Sequence, residues 1–214
     1  MIKYIYINLQ AEVFFLNICV FGASSSIIDE KYIRDVEELG KSIAGRGHNL
    51  IFGAGASGLM GAVARGAYEK GGNIVGVVPD FFKDDDMGVD GRLFKNCTEM
   101  VITESMRERK RIMEERSDAF IITPGGIGTY EEFFEVFTLK QLGRHNKPIA
   151  IYNLYGYYDA MLKMLEESTN RKFLRAACSR LIEVFTDADE MLDYVENYIP
   201  EKINVFDTKN IEKD

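Results

Sequence analysis

Ser117-Asp118-Ala119-Phe120-Ile121-Ile122-Thr123-Pro124-Gly125-Gly126-Ile127-Gly128-Thr129-Tyr130-Glu131-Glu132 reads as a strand, a tight turn and the opening of a helix. The apolar run from Ala119 to Ile122 suits a strand buried on both faces, as in a parallel sheet. Pro124-Gly125-Gly126 interrupts it, and Phe133-Phe134-Glu135-Val136-Phe137 resumes as a helix. A strand that breaks at Pro-Gly-Gly and restarts as a helix exposes backbone N–H groups in the turn. The helix adds the positive end of its dipole. That is a place to hold a phosphate, with a carboxylate one turn inside the helix.

Upstream, the same alternation repeats. Ile18-Cys19-Val20-Phe21 is a buried strand followed by the small-residue turn Gly22-Ala23-Ser24-Ser25-Ser26. Apolar residues at Ile33, Val36, Leu39 and Ile43 then mark a helix over 29–46. Asn49–Phe52 is a second strand, Gly53–Gly58 a second small-residue turn, 59–70 a helix and 73–78 a third strand. Downstream, strands are predicted at 98–102, 118–123, 148–152 and 181–185, with helices over 104–116, 129–142, 157–167 and 187–198. The β-α-β-α-β start defines the fold class: α/β, a Rossmann-like doubly wound parallel sheet of six to seven strands with helices on both faces, in a single domain.

The 214 residues, 46% hydrophobic and 28% charged, suffice for one such domain with a sizeable core. A formal net charge of −8 argues against general nucleic-acid binding while leaving room for a local basic pocket. Three scattered cysteines and two histidines show no metal-ligand spacing, and free thiols in a reducing cytoplasm are the expectation. Residues 1–17 are too interrupted by Asn8, Gln10 and Glu12 to span a membrane and lack a clear signal-peptide cleavage site. They are read as an N-terminal extension, with room for an extra edge strand. The domain proper is placed at 18–198, and 199–214 is a polar tail. The loop carrying Asp84-Asp85-Asp86 is either a solvated acidic segment or a lid over the site.

Ligands of open α/β sheets lie beyond the carboxyl ends of the strands, where the three small-residue turns 22–26, 53–58 and 124–129 fall. Together they suggest a shared anionic site, to which Ser24 and Gly55 contribute. Gly53-x-Gly55-x-x-Gly58 also matches a dinucleotide fingerprint. It stands on the second βα unit rather than the first, and it leaves 124–132 without a task. Two readings of Glu132 stay open. Thr129-x-x-Glu132 is a capping box with Thr129 as N-cap, or Glu132 faces a sugar beside the bound phosphate and stabilises developing positive charge. Arg109 likewise has two readings. It shares a helix face with Met106 and Met113 and must then pair with a carboxylate or a bound anion, or it belongs to a solvated basic run partnered by Glu104, Glu108, Glu114 and Glu115.

Met106-x-x-Arg109-Lys110, Ser117-Asp118-Ala119-Phe120 and Pro124-Gly125-Gly126-x-Gly128-Thr129-x-x-Glu132 together resemble the Lonely Guy (LOG) family, whose members were once labelled lysine decarboxylases. The resemblance runs from about residue 18 to 198, through Gln141-Leu142-Gly143, Lys147-Pro148 and Gly156-Tyr157-Tyr158. It implies hydrolysis of the N-glycosidic bond of a nucleoside 5′-monophosphate, AMP or a cytokinin riboside monophosphate, releasing free base and ribose 5-phosphate. It further implies a homodimer, a nucleotide substrate as partner, no cofactor, no metal and no membrane. Arg109 and Glu132 become the catalytic pair. Gly125, Gly126, Gly128 and Thr129 fall on the phosphate, and Lys110, Glu131 and Thr138 join the substrate contacts. Ala54 stands where many relatives have glycine, Ile127 where plant members have tyrosine and Leu139 where those have tryptophan, so base preference is not carried over. Pyridoxal chemistry needs a lysine Schiff base with a partner for the ring nitrogen, and no such arrangement is visible. The rival readings are a molybdenum-cofactor carrier or other non-hydrolytic nucleotide-binding protein on the same fold, and a nucleotide-sensing regulator.

Overall fold

The computed structural model describes residues 15–82 and 93–200. Most of the N-terminal extension, the Asp84–Asp86 segment and the last fourteen residues lie outside the described residues.

Seven strands form one sheet, all parallel: β1 (Asn17–Phe21), β2 (Asn49–Phe52), β3 (Ile74–Pro79), β4 (Glu99–Thr103), β5 (Ala119–Ile122), β6 (Ile149–Tyr152) and β7 (Glu183–Phe185), in the spatial order β4-β3-β2-β1-β5-β6-β7. Among the described residues, five α-helices connect them, α1 (Glu30–Gly45), α2 (Gly58–Glu69), α3 (Met106–Arg116), α4 (Ile127–Gln141) and α5 (Asp159–Asn170), and α6 (Ala188–Glu196) follows β7. The observed elements follow the predicted ones to within a few residues. The shift that bears on the site is α4, which opens at Ile127 rather than Thr129.

Residue alternation along each strand sorts the core into two layers. Ile18, Val20, Leu50, Phe52 and Ile121 pack with α1, α2 and α6. Cys19, Phe21, Ile51, Val77, Phe120 and Ile122 pack with α3, α4 and α5. Strand β1 sits between β2 and β5, with Cys19 in register with both Ile51 and Phe120. The chain winds outward one way from β1 through β4, then crosses to β5 and winds the other way. The crevice between the carboxyl ends of β1 and β5 is therefore the topological switch point, where such sheets bind ligands. Among the described residues no helix is long and apolar enough to cross a membrane, and no group of three or more His, Cys, Asp or Glu is placed to hold a metal ion.

Candidate active site

The first side chain at the crevice comes from α3. Ser105 caps this helix, its hydroxyl accepting from Glu108 N at 3.2 Å, while the Glu108 carboxylate accepts from Glu104 N at 2.8 Å. This Ser-x-x-Glu signature is close to the capping box read at Thr129-x-x-Glu132, with the glutamate reaching back to the residue before the cap. The cap sets the helix phase so that Arg109 and Met113 are its buried residues.

The Arg109 guanidinium crosses the end of β3. Its Nε donates to Val77 O at 3.0 Å, and Nη1 donates to Glu132 Oε1 at 3.2 Å. It passes so close to Gly53 that a Cβ there would stand 1.8 Å from Nη2. Arg109 thus belongs to neither a solvated basic run nor the α3 surface, whose Arg111 pairs instead with Glu115 at 2.8 Å.

Glu132 lies in the second turn of α4. The N-cap of that helix is Gly126, in an extended conformation, and no side chain caps it. The Thr129–Glu132 capping box is therefore absent. Because the Pro-Gly-Gly turn needs no further residue to close, the helix opens earlier than the Thr129 signal implies. Thr129 sits at the third helical position, buried, with its hydroxyl so near Gly125 that a Cβ on that glycine would lie 2.1 Å from Oγ1. Freed from capping, the Glu132 carboxyl is 12% exposed and turns to Arg109. Burial raises its pKa to about 7 against the opposing pull of the Arg109 charge and hydrogen bond. Glu131 adds a small rise, and Lys110 lowers it slightly. Desolvation prevails, and the group is poised to exchange a proton near neutrality.

The three small-residue turns meet, with divided tasks. Ala23 N donates to Pro124 O at 3.1 Å, closing the crevice between β1 and β5. Ala23 O accepts from Leu59 N at 2.8 Å and from Met60 N at 3.2 Å, so donors of the first turn of α2 are already engaged by protein. Gly58, at φ +61°, is where the chain turns beneath that carbonyl, and a Cβ there would meet Ala23 O at 2.4 Å. The Gly53-x-Gly55-x-x-Gly58 signature thus serves Arg109 and the β1 loop rather than a pyrophosphate. Gly55 forms an isolated antiparallel bridge with Leu93. The anion-binding capacity remains at α4, whose first N–H groups have no intrahelical acceptor and no side-chain cap. Gly125, Gly126, Gly128 and Thr129 are all placed at this helix start, and the exposed Ser24 lies on the loop that Ala23 ties to it.

Lys110 and Glu131 flank the Arg109–Glu132 pair, and Thr138 lies further along α4. Lys110 binds Glu131 and, at 2.8 Å, Glu135 on the outer flank of α3 and α4. Thr138 is exposed two turns beyond Glu131 on that flank. Residues that the sequence reading did not single out as site residues support the turn: Tyr157 Oη donates to Gly125 O at 2.6 Å, and Tyr158 Oη donates to Thr123 O at 2.7 Å. Their signal was Gly156-Tyr157-Tyr158, noticed only as part of the family pattern. Ala54 holds φ +63° and is fully buried, a left-handed conformation that suits glycine better. Ile127, first residue of α4, is 85% exposed.

A buried guanidinium–carboxyl pair stands beside an uncapped helix N-terminus at the switch point of a doubly wound, Rossmann-like sheet. A family model described as "Possible lysine decarboxylase" matches residues 60–195. A protein of Oryza sativa subsp. japonica named "Probable cytokinin riboside 5'-monophosphate phosphoribohydrolase LOGL3" is 35% identical over 186 residues, covering 87% of this chain and 86% of that protein. Cytokinin riboside 5'-monophosphate phosphoribohydrolase LOG1 of Arabidopsis thaliana is 32% identical over 204 residues, 95% of this chain and 93% of its own length. The chain belongs to this LOG family of phosphoribohydrolases. Among solved structures, the molybdenum cofactor carrier protein of Chlamydomonas reinhardtii superimposes with a TM-score of 0.62 at 21% identity, over 85% of this chain and 96% of that one. The molybdenum cofactor binding protein of Rippkaea orientalis gives 0.63 at 18% identity over the same shares. At such identities the likeness shows the fold, and function must be argued from the site.

Proposed function

We propose that this protein is an N-glycosyl hydrolase that cleaves a nucleoside 5′-monophosphate, AMP or a cytokinin riboside 5′-monophosphate, into free base and ribose 5-phosphate. One observation carries the reading: Glu132, buried and with its pKa raised by desolvation, bonds Arg109 one turn beyond a helix start whose N–H groups are open to a phosphate. The names of the relatives, which specify a phosphoribohydrolase, agree with it.

The 5′-phosphate sits on the N–H groups of Gly125, Gly126, Gly128 and Thr129, which fixes the ribose in register. As the C1′–N bond breaks, its electron pair leaves with the base and the ribosyl carbon becomes oxocarbenium-like. The Glu132 carboxylate stabilises that cation and takes a proton from the water that attacks C1′, the departing base nitrogen gains a proton from solvent, and Glu132 returns its own to solvent after release. Arg109 holds the Glu132 carboxylate in place and supplies positive charge to the phosphate or the leaving base. Lys110 and Glu131 flank the site as an ion pair that would have to reorganise to reach a ligand. A homodimer in a reducing cytoplasm completes the proposal. The exposed Ile127 at the lip of the site and the free thiols Cys19, Cys97 and Cys178 support it.

The test is to incubate the protein with AMP and with isopentenyladenosine monophosphate and to separate the products chromatographically. Wild type is expected to release free base. Glu132→Gln is expected to lose at least about 10²-fold in turnover while unfolding at no lower a temperature than wild type. Binding without release by wild type would favour the carrier reading, and full activity in the variant would remove Glu132 from the mechanism.

A further inference from the structure

The turn that opens α4 is held by its carbonyls. Four in succession are engaged: Thr123 O by Tyr158 Oη at 2.7 Å, Pro124 O by Ala23 N at 3.1 Å, Gly125 O by Tyr157 Oη at 2.6 Å and Gly126 O by Tyr130 N at 3.0 Å. In a planar trans peptide the carbonyl and the following N–H point in opposite directions. The engaged carbonyls of Pro124, Gly125 and Gly126 therefore aim the amides that follow them away from the protein body. The Gly125–Gly126 peptide is the one most free to rotate, since neither residue has a side chain to restrict it. If it flipped, a carbonyl would face the anion in place of an N–H. Its only anchor among the described hydrogen bonds is a phenol.

That phenol is delivered by a braced bend. Tyr155 and Gly156 both hold positive φ, at 54° and 73°. Tyr155 Oη donates to Asp35 Oδ2 at 2.6 Å, its ring lies 4.5 Å under Lys31 Nζ, and it meets Tyr32 edge-on at 5.1 Å. The start of α1 thus supports the bend from which Tyr157 reaches across the crevice.

We infer that Tyr157 is a positioning residue for the 5′-phosphate: its hydroxyl locks the Gly125–Gly126 peptide with the Gly126 N–H toward the anion. The inference rests on the phosphate-at-α4 reading. It also names its own control, because the hydroxyl of Tyr158 pins a carbonyl that is followed by Pro124, which has no N–H to aim.

The experiment compares Tyr157→Phe with Tyr158→Phe, each of which removes one hydroxyl and keeps the ring. Inhibition by inorganic phosphate, KM and kcat for AMP, and melting temperature are measured for both. For Tyr157→Phe the phosphate inhibition constant and KM rise together about tenfold, the effect of one lost hydrogen bond, with kcat within about twofold. For Tyr158→Phe the melting temperature falls while both constants stay at wild-type values. Unchanged constants in Tyr157→Phe overturn the inference. Equal losses in both variants overturn it too, since a generally loosened turn would explain them. If Tyr157→Phe does not fold, the Gly126 amide shift in wild type decides by nuclear magnetic resonance: it must move on phosphate addition, and its failure to move overturns the assignment. Wild-type protein that binds neither phosphate nor AMP would overturn the functional reading itself, which distinguishes that failure from failure of the Tyr157 assignment alone.

Discussion

Arg109 and Lys140 are both cations buried on helices that cover the same face of the sheet, at opposite edges. Arg109, at the carboxyl edge, meets a backbone carbonyl and a carboxylate. Lys140, in the last turn of α4, is 1% exposed, and its Nζ finds no hydrogen-bond acceptor among the described residues. It has the ring of Tyr198 at 4.9 Å, and burial lowers its pKa to about 8. A buried charge alone therefore does not mark a site. Arg109 is held by partners that give its charge a direction and an opposite charge to act with, whereas Lys140 is stranded in apolar surroundings, favouring its neutral form.

Removing each cation should separate the two regions most sharply. Arg109→Met leaves Glu132 buried without its partner and is expected to lower turnover by about 10²–10³-fold. Base release measured beside a melting curve checks this, and a variant as active as wild type would place Arg109 with Lys140 as mere structure. Lys140→Met should do the opposite, raising stability at pH 7 by about 1–3 kcal/mol with turnover unchanged. The sign follows from linkage. The folded-state pKa of about 8 lies below the ordinary 10.5, so the penalty for the buried ammonium is complete below pH 8 and fades as the pH rises toward 10.5. Urea titrations at pH 7 and pH 10 should show the gain shrinking at the higher pH.

The comparison can be sharpened by titration. Glu132, with its pKa raised to about 7, is half carboxylate there, so kcat/KM should climb with an apparent pKa near 7 and level off above pH 8. Because the folded value exceeds the ordinary 4.5, the stability that Glu132 contributes is complete below pH 4.5 and is lost as the pH rises through 7. A flat activity profile between pH 6 and 8 would deny the carboxylate its role. The smallest effect concerns Lys110, which is paired at the surface. Lys110→Ala should change stability by under about 1 kcal/mol and turnover by only a few-fold. A loss as large as that of Arg109→Met would mean that Lys110 leaves Glu131 and Glu135 to engage the substrate.

Most of the fold was legible because β1, β2, β3 and β5 are apolar runs closed by glycine or proline, and the helices between them carry their own period. The switch point also followed, since three small-residue turns had to converge at one edge. What misled was local chemistry with two solutions. Thr129-x-x-Glu132 satisfies a capping pattern, yet Pro124-Gly125-Gly126 closes the turn by itself and starts the helix earlier. The capping pattern that does form, Ser105-x-x-Glu108, stood unremarked in a charged run. Gly53 and Gly58 matched a nucleotide fingerprint because close approach to any group, here the Arg109 guanidinium and the Ala23 carbonyl, selects the same residue. The burial of Lys140 was visible in the spacing of Phe133, Val136 and Phe137, but a lysine on an apolar stripe reads by habit as a solvated end. The Tyr157 contact depends on a bend through two left-handed residues, which no periodicity announces.

The early start of α4 has a practical consequence. Since Glu132 lies beyond the first turn and caps nothing, its carboxylate can be neutralised without loosening the helix proposed to hold the phosphate. Glu132→Gln is then a molecular trap. Purified from cells and denatured, it should surrender an intact nucleotide whose mass names the natural base.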